Sequence, residues 1–212
     1  NTFVHVNHTE TRNRYGVLLC VNGTGILNSW LRKHFDIDSS ITYEKMNAIA
    51  AEAPIGSDGL QILPFGNGAE RIFENRDVGA QIHHLNFNRH QRSHLLRAAQ
   101  EGIVFSLYYG FQIMAEMGLA TDTVRAGHSN MFLSPLFREA FVNLTGARLE
   151  LYNTDGSQGA ARAAGVGAGI YTSESEAFDG LHKISTLEPD QEKRKVYLDT
   201  YHSWLKTLQS NI

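Results

Sequence analysis

The chain has 212 residues, 42% of them hydrophobic and 19% charged, so it is long and apolar enough to bury the core of a domain. Lysine and arginine total 19 against 22 aspartates and glutamates. The resulting net charge of −3 argues against a nucleic-acid binder, which usually carries a basic stripe. A single cysteine, Cys20, excludes a disulfide within the chain and fits a reducing compartment.

The apolar stretches are broken well before the roughly 20 residues that a membrane span needs, and we expect no membrane association. Neither end carries a signal-peptide or lipidation pattern, which favours a cytoplasmic location. The chain opens at Asn1 inside a pattern typical of a strand, so we expect a piece of a longer protein. Residues 1–212 contain no repeat or linker and are expected to form one domain.

Short apolar runs alternate with amphipathic segments in the first part of the chain, which predicts an α/β domain. The run at 15–21 is typical of a strand buried on both faces. Apolar residues at helical spacing predict helices over 26–33 and over 42–53, the second stopped by Pro54. Residues 60–64 are expected to form a strand that enters a glycine-rich loop.

A long helix is predicted from 90 to 117, with Gly118 ending it. The remaining predicted elements are a strand at 124–127, a helix at 134–144 capped by Ser134 and Pro135, a strand at 149–152, and helices at 160–169 and 189–208. Tyr197, Tyr201 and Trp204 share one face of the last helix. We expect them to pack on this domain rather than on a partner subunit.

Glycine-rich turns follow three of the apolar runs, at 22–25, 126–130 and 155–169. Such a turn before a helix leaves backbone N–H groups free for phosphate, and ligands gather outside the carboxyl ends of strands in α/β sheets. The turns at 22–25 and 155–169 each have a structural alternative, because glycine also permits tight turns and close packing of backbones. Three such turns in one domain favour a nucleotide site built from several loops.

The sequence leaves the roles of several other polar residues undecided. His83, His84, His90 and His94 lie close together in sequence, but they lack the spacing of a known metal motif, and we expect no dedicated metal site. Glu70, with the adjacent arginine, and Glu101 could serve a site or form ion-paired structure.

Several segments carry a family resemblance. They include NTFVH at 1–5, GILNSWLR at 25–32, GLQILPFGNGAER at 59–71 and RAAQEGIVF at 97–105. Their order and spacing resemble the C-terminal domain of the FGGY carbohydrate kinases, most of all the xylulokinase branch. The resemblance implies an actin-like, ribonuclease H-like α/β fold with a mixed sheet flanked by helices. It also implies transfer of the γ-phosphoryl group of MgATP to a sugar hydroxyl, with D-xylulose as the favoured acceptor.

By residue match, the resemblance assigns the nucleotide site to two turns. Gly25 and Ser29 stand where the family's strand–helix turn contacts the nucleotide. Gly127, with Ser129 or Asn130, stands where a Gly-Gly loop meets the adenosine and phosphates. Ala126 replaces the first glycine of that pair, and the loop that follows is longer than in the family.

The resemblance places the catalytic aspartate and most sugar contacts in an N-terminal domain that this chain does not contain. We therefore assign no catalytic or metal-binding residue to this chain and expect no kinase activity from it alone. A homodimer is expected by family analogy only. Two alternatives stay open: a related kinase acting on ribulose, fuculose, rhamnulose or glycerol, or a non-catalytic binding module in which the altered loop no longer holds ATP.

Overall fold

The computed structural model describes residues 2–5, 14–35 and 41–212. The strands of this described part are β1 (Thr2–His5), β2 (Arg14–Val17), β3 (Gln61–Phe65), β4 (Gly79–His83), β5 (Thr123–Gly127), β6 (Arg148–Tyr152) and β7 (Lys183–Leu187). Its helices are α1 (Thr24–His34), α2 (Tyr43–Ala51), α3 (Arg92–Glu116), α4 (Pro135–Thr145), α5 (Gly156–Gly167), α6 (Glu174–Ala177) and α7 (Gln191–Gln209).

The strands form three small sheets. β1 pairs with β2 and β3 with β4, both antiparallel. β5 and β6 run parallel, joined through α4, and β7 adds to β6 in the antiparallel sense. The predicted α/β class, with a mixed sheet and flanking helices, is therefore confirmed. Because β5 and β6 are parallel, their carboxyl ends reach the same sheet edge, where ligands bind in such folds.

Helix α3 is the central element, and most of its residues from Ser93 to Gly110 are buried. Its start is closed by a reciprocal cap between Gln91 and His94, in which the Gln91 N–H donates to His94 Nδ1 at 3.1 Å. Gly102 sets its distance from β3, because a Cβ there would lie 2.3 Å from the carbonyl oxygen of Ile62. No helix of the described ranges has both the length and the apolar character to cross a bilayer.

Helix α7 closes the core with one aromatic face. Its fully buried side chains are Tyr197, Tyr201, Trp204 and Leu208. The Trp204 indole N–H donates to the Ile62 carbonyl oxygen at 2.9 Å, and its ring centroid lies 5.7 Å from that of Phe105. The predicted packing of this helix on its own domain is confirmed.

The strand predicted at 15–21 is shorter and less buried than expected. β2 ends at Val17, the Leu18 side chain is 48% exposed, and Cys20 is half-buried; only Val21 reaches the core. β1 is the one neighbour of β2 among the described strands. The prediction of a strand buried on both faces was wrong, because an apolar run does not show how many neighbours cover it.

Two further differences concern the last third of the chain. α5 begins at Gly156 rather than at 160, because Asp155 caps it by accepting the N–H of Gln158 at 2.8 Å. Strand β7 and the short helix α6 were not predicted. β7 is an edge strand whose Ile184 is 47% exposed, so it lacks the apolar run that marks a covered strand.

Candidate functional site

A cavity of about 240 Å³ opens where α1, α2 and the turn before α4 meet. Its polar lining comes from Gly25, Asn28, Tyr43, Asn47, Asn130 and Ser134. Two of the five residues assigned to a nucleotide from sequence, Gly25 and Asn130, thus lie on the walls of one cavity although they are distant in the chain.

The first wall is the N-terminus of α1. The helix follows Gly23, where a Cβ would lie 1.5 Å from the Pro64 carbonyl oxygen, so only glycine fits this junction. The N-cap residue is this glycine, so no N-cap side chain accepts a first-turn N–H, and the first turn holds no acidic residue. Gly25 is exposed, with open space where a Cβ would project. Because Gly25 lines the cavity, the first turn of α1 contributes its backbone to this wall.

The second wall is a 3-10 turn, Asn130–Leu133, that follows β5. Asn130 is exposed and has a left-handed backbone, with φ of 50°. The carbonyl of Ser129 accepts the N–H of Phe132 at 3.1 Å, and the N–H of Ser129 donates to Gly127. These bonds hold the turn so that the Asn130 side chain is available at the cavity.

Gly127 and Ser129 support this wall and are not among the described residues that line the cavity. At Gly127 a Cβ would lie 2.3 Å from the Thr154 carbonyl oxygen, in the connection between β6 and α5. Close backbone packing therefore accounts for this glycine.

Gln100 of α3 is 1% exposed and bonds to two of the residues that line the cavity. Its Nε2 donates to Asn47 Oδ1 at 2.9 Å, and its Oε1 accepts the Ser134 hydroxyl at 2.7 Å. Ser134 Oγ also accepts the Phe137 N–H at the start of α4. Sequence reasoning identified Ser134 as a cap but missed Asn47 and Gln100, which local patterns do not distinguish from other helix residues.

Ser29 faces a neighbouring hollow of about 210 Å³ that it shares with Arg32, Lys33 and Tyr43. The Arg32 guanidinium lies 4.7 Å from the centroid of the Tyr43 ring and donates to the Ile41 carbonyl. Tyr43 lines both spaces, so the hollow at Ser29 and the cavity at Gly25 share one wall. The two cations give this side of the site a positive charge.

The glycine-rich turn at 155–169 differs from the turn before α1. The Asp155 carboxylate already occupies the start of α5, and hydrogen bonds from Ser157 and from the Gln158 N–H lower its pKa. Gly165 packs against the Tyr171 ring, which a Cβ would approach to 2.4 Å. The Asp155 cap and the close packing at Gly165 therefore give this turn structural roles.

Two of the four histidines, His90 and His94, hold a turn. His94 Nε2 lies 3.1 Å from Asp58 Oδ2, and His90 Nε2 lies 3.2 Å from the Asp58 carbonyl oxygen. Asp58 has a left-handed backbone in the turn before β3, which these rings hold against α3. Over the described residues, no cluster of three histidine, cysteine or carboxylate side chains could hold a metal ion.

Comparisons with known proteins agree with this architecture, although no protein-family model matches the chain. It is 29% identical over 206 residues to a xylulose kinase of Haemophilus influenzae, covering 95% of this chain and 41% of the relative. It is 32% identical over 173 residues to an L-xylulose/3-keto-L-gulonate kinase of Escherichia coli, covering 77% of this chain and 32% of the relative. The chain belongs to the FGGY-type carbohydrate kinases.

It corresponds to the C-terminal portion of these kinases and spans less than half the length of the relatives it matches. A gluconokinase of Bacillus subtilis also matches, at 32% identity over 104 residues, 45% of this chain and 20% of the relative. The FGGY assignment therefore spans kinases with different named substrates.

Solved structures show the same fold. A ligand-bound xylulose kinase of Lactobacillus acidophilus superposes with a TM-score of 0.74 at 22% identity, over 90% of this chain and 38% of that one. A glycerol kinase of Plasmodium falciparum, determined with ADP, superposes with a TM-score of 0.67 at 24% identity. The match covers 89% of this chain and 37% of that one. The expected actin-like sugar-kinase fold is confirmed.

Proposed function

We propose that this portion, residues 1–212, is the nucleotide-side domain of an ATP-dependent sugar kinase. The observation that carries the proposal is the cavity between the first turn of α1 and the turn at Asn130. Backbone N–H groups at a helix start bind phosphate oxygens, and the helix dipole favours their negative charge. A structure of the same fold was determined with ADP, which supports a nucleotide as the ligand.

In this proposal the phosphates lie near Gly25 and the adenosine follows the wall formed by Ser129 and Asn130. Asn28 and Asn47 supply amide groups at the cavity. Ser29 and the cationic side chains beside it lie in the adjoining hollow, where they add positive charge. Gly127 acts through its backbone: because it has no Cβ, the connection between β6 and α5 can pack directly against the end of β5.

The reaction requires groups beyond this cavity. In phosphoryl transfer, a sugar hydroxyl oxygen bonds to the γ-phosphorus, ADP leaves and the hydroxyl proton passes to a base. The described lining offers amides, two hydroxyls and N–H groups but no carboxylate. It fits a nucleotide and does not by itself fit Mg²⁺, which takes carboxylate and phosphate oxygens. We place the catalytic aspartate, the sugar contacts and any carboxylate ligand of Mg²⁺ in an N-terminal domain.

D-xylulose is the acceptor that we favour, because xylulose kinases recur among the relatives and the solved structures. Gluconokinase also appears among them, and pentuloses, gluconate and glycerol remain the competing acceptors. Sugar selection then depends on residues outside this chain.

A non-catalytic binding module is the second candidate, and it rests on the substitution at Ala126. The Ala126 side chain packs against the buried cluster of Val142, Leu149 and Leu151. Its methyl group is therefore taken up by the core and leaves the cavity open, which favours the kinase. We further propose a cytoplasmic homodimer with no nucleic-acid or membrane partner.

The test is a coupled ADP-release assay on the full-length protein that carries this chain. It uses MgATP with D-xylulose, L-xylulose, ribulose, gluconate or glycerol, and a control without sugar. Turnover on D-xylulose well above the others supports the proposal, and turnover on another sugar changes only the acceptor. ADP binding without turnover on any sugar favours the binding module. The isolated chain is expected to show no sugar phosphorylation in the same assay.

A further inference from the structure

Glu70 is a fully buried carboxylate at the end of an exposed loop. Residues 66–69 are exposed, whereas Glu70 is 0% exposed. Its two carboxylate oxygens accept the N–H of Asn22 at 3.1 and 3.0 Å, and the N–H of Gly23 also donates to it. These are the two residues that immediately precede α1.

The same loop holds this junction by further contacts. The Asn22 side-chain amide donates to the Ala69 carbonyl at 2.8 Å, and the Asn67 amide donates to the Asn22 carbonyl at 3.2 Å. Gly23 packs directly on the Pro64 carbonyl. The junction before α1 is thus bound to the loop by both its backbone and its side chain.

Glu70 itself is fixed by backbone bonds. Its N–H donates to the Arg76 carbonyl at 3.0 Å, and its carbonyl accepts the N–H groups of Phe73 at 3.1 Å and Asn75 at 3.0 Å. Because these bonds hold the Glu70 backbone in place, its carboxylate can orient Asn22 and Gly23, the residues to which it bonds. Burial raises the pKa of Glu70, and the N–H donors of Asn22 and Gly23 oppose that rise.

The bonding pattern separates the N–H groups at the start of α1 into two sets. Glu70 accepts those of Asn22 and Gly23, which lie before the helix, whereas the next ones, of Thr24 and Gly25, belong to the first helical turn, whose N–H groups have no partner within the helix itself. We propose that Glu70 is a positioning residue for the nucleotide: it fixes the start of α1 so that the N–H groups near Gly25 meet the phosphates. This inference rests on the proposed nucleotide site.

The test is Glu70→Gln in the full-length protein, because glutamine keeps the shape but turns an N–H donor toward the N–H groups that Glu70 accepts. We expect KM for ATP and Kd for ADP to rise roughly tenfold or more, the scale of one lost charge-assisted hydrogen bond. KM for the sugar should stay unchanged. Hydrogen exchange should show faster exchange of the Asn22 and Gly23 amides in the variant.

The matched control is Glu101→Gln. Glu101 is another buried carboxylate, and it accepts the backbone N–H of Gly56 at 3.1 and 3.2 Å. It is not among the residues that line the cavity. This variant should lose stability and keep the KM for ATP of the unmodified protein. If both variants raise KM for ATP alike, a general loss of stability explains the effect and the inference is overturned.

The remaining outcomes separate the inference from the proposed function. Nucleotide affinity that is normal in both the unmodified protein and Glu70→Gln overturns the inference alone. An unmodified protein that binds neither ATP nor ADP overturns the proposed function and the inference with it. Slower turnover with unchanged KM for ATP and unchanged amide exchange at 22 and 23 also rejects the positioning role.

Discussion

Arg97 Nε donates to Glu101 Oε1 at 2.7 Å, one turn farther along α3, with both side chains buried. The other guanidinium nitrogens of Arg97 donate to the Ala53 carbonyl at 2.8 Å and the Tyr197 hydroxyl at 3.0 Å. Glu101 also accepts the Gly56 N–H. These bonds tie α3 to α7 and to the segment after α2. Of the two roles left open from sequence, Glu101 therefore has the structural one.

Replacing Arg97 by methionine should destabilise the domain by about 3–5 kcal/mol, because Glu101 would stay buried without its cation. Urea denaturation of the full-length protein measures the change. The matched control is Arg148→Met, which removes one partner of an exposed pair with Glu188 and should change stability little. Equal losses of stability in the two variants would show that burial does not decide the cost of removing one partner of an ion pair.

Gly102→Ala should cost about 1–3 kcal/mol, since the new methyl group would push on the Ile62 carbonyl. That carbonyl accepts the Trp204 indole N–H, so tryptophan fluorescence should report the displacement. Gly159→Ala in α5 is the control: its Cβ would meet open space, and alanine should raise helix stability by up to about 1 kcal/mol. A Tm unchanged by Gly102→Ala would show that α3 and β3 can separate at low cost.

The two glycines assigned to the nucleotide should respond differently to alanine. Gly25→Ala has room for its methyl group and should fold normally, but the methyl group would occupy space at the cavity and weaken ADP binding. Gly127→Ala would push on the Thr154 carbonyl and should lower Tm. Calorimetric titration with ADP and thermal unfolding separate the two effects. Normal ADP binding by Gly25→Ala would place the phosphates elsewhere.

Glu150 should make the domain less stable at acidic pH. Hydrogen bonds from Lys183 and Arg125 lower its pKa from the usual 4.5 to about 2. Because the folded pKa is the lower one, its stabilising contribution is present above about pH 4.5 and is lost as pH falls toward 2. Glu150→Gln should flatten the fall of Tm over this range. Parallel Tm–pH curves for the two proteins would show that the three side chains do not interact in solution.

Local signals predicted much of the secondary structure. The Ser134–Pro135 pair fixed the start of α4, because a hydroxyl cap and a first-position proline act within one turn. The spacing of Tyr197, Tyr201 and Trp204 identified the buried face of α7, since 3.6-residue periodicity directly reflects burial. Such features depend on neighbours in sequence and can be recognised without a fold.

Tertiary relationships could not be predicted in this way. Gln100 reaches Asn47 and Ser134 only after α2, α3 and α4 have packed, and nothing in its local pattern indicates this. The burial of Glu70 is likewise invisible in a loop of exposed residues. Gly25 and Asn130 were assigned by residue match, and the fold explains why residues so distant in the chain line one cavity.

The aromatic face of α7 has a consequence for synthesis on the ribosome. Phe65 and Phe105, made much earlier, are covered by side chains from the element synthesised after all other described helices and strands. Until that segment emerges, part of the apolar surface around Phe65 and Phe105 lacks the cover that α7 provides. Holdase chaperones bind exposed apolar surface, so we expect the core of this domain to be completed late in translation.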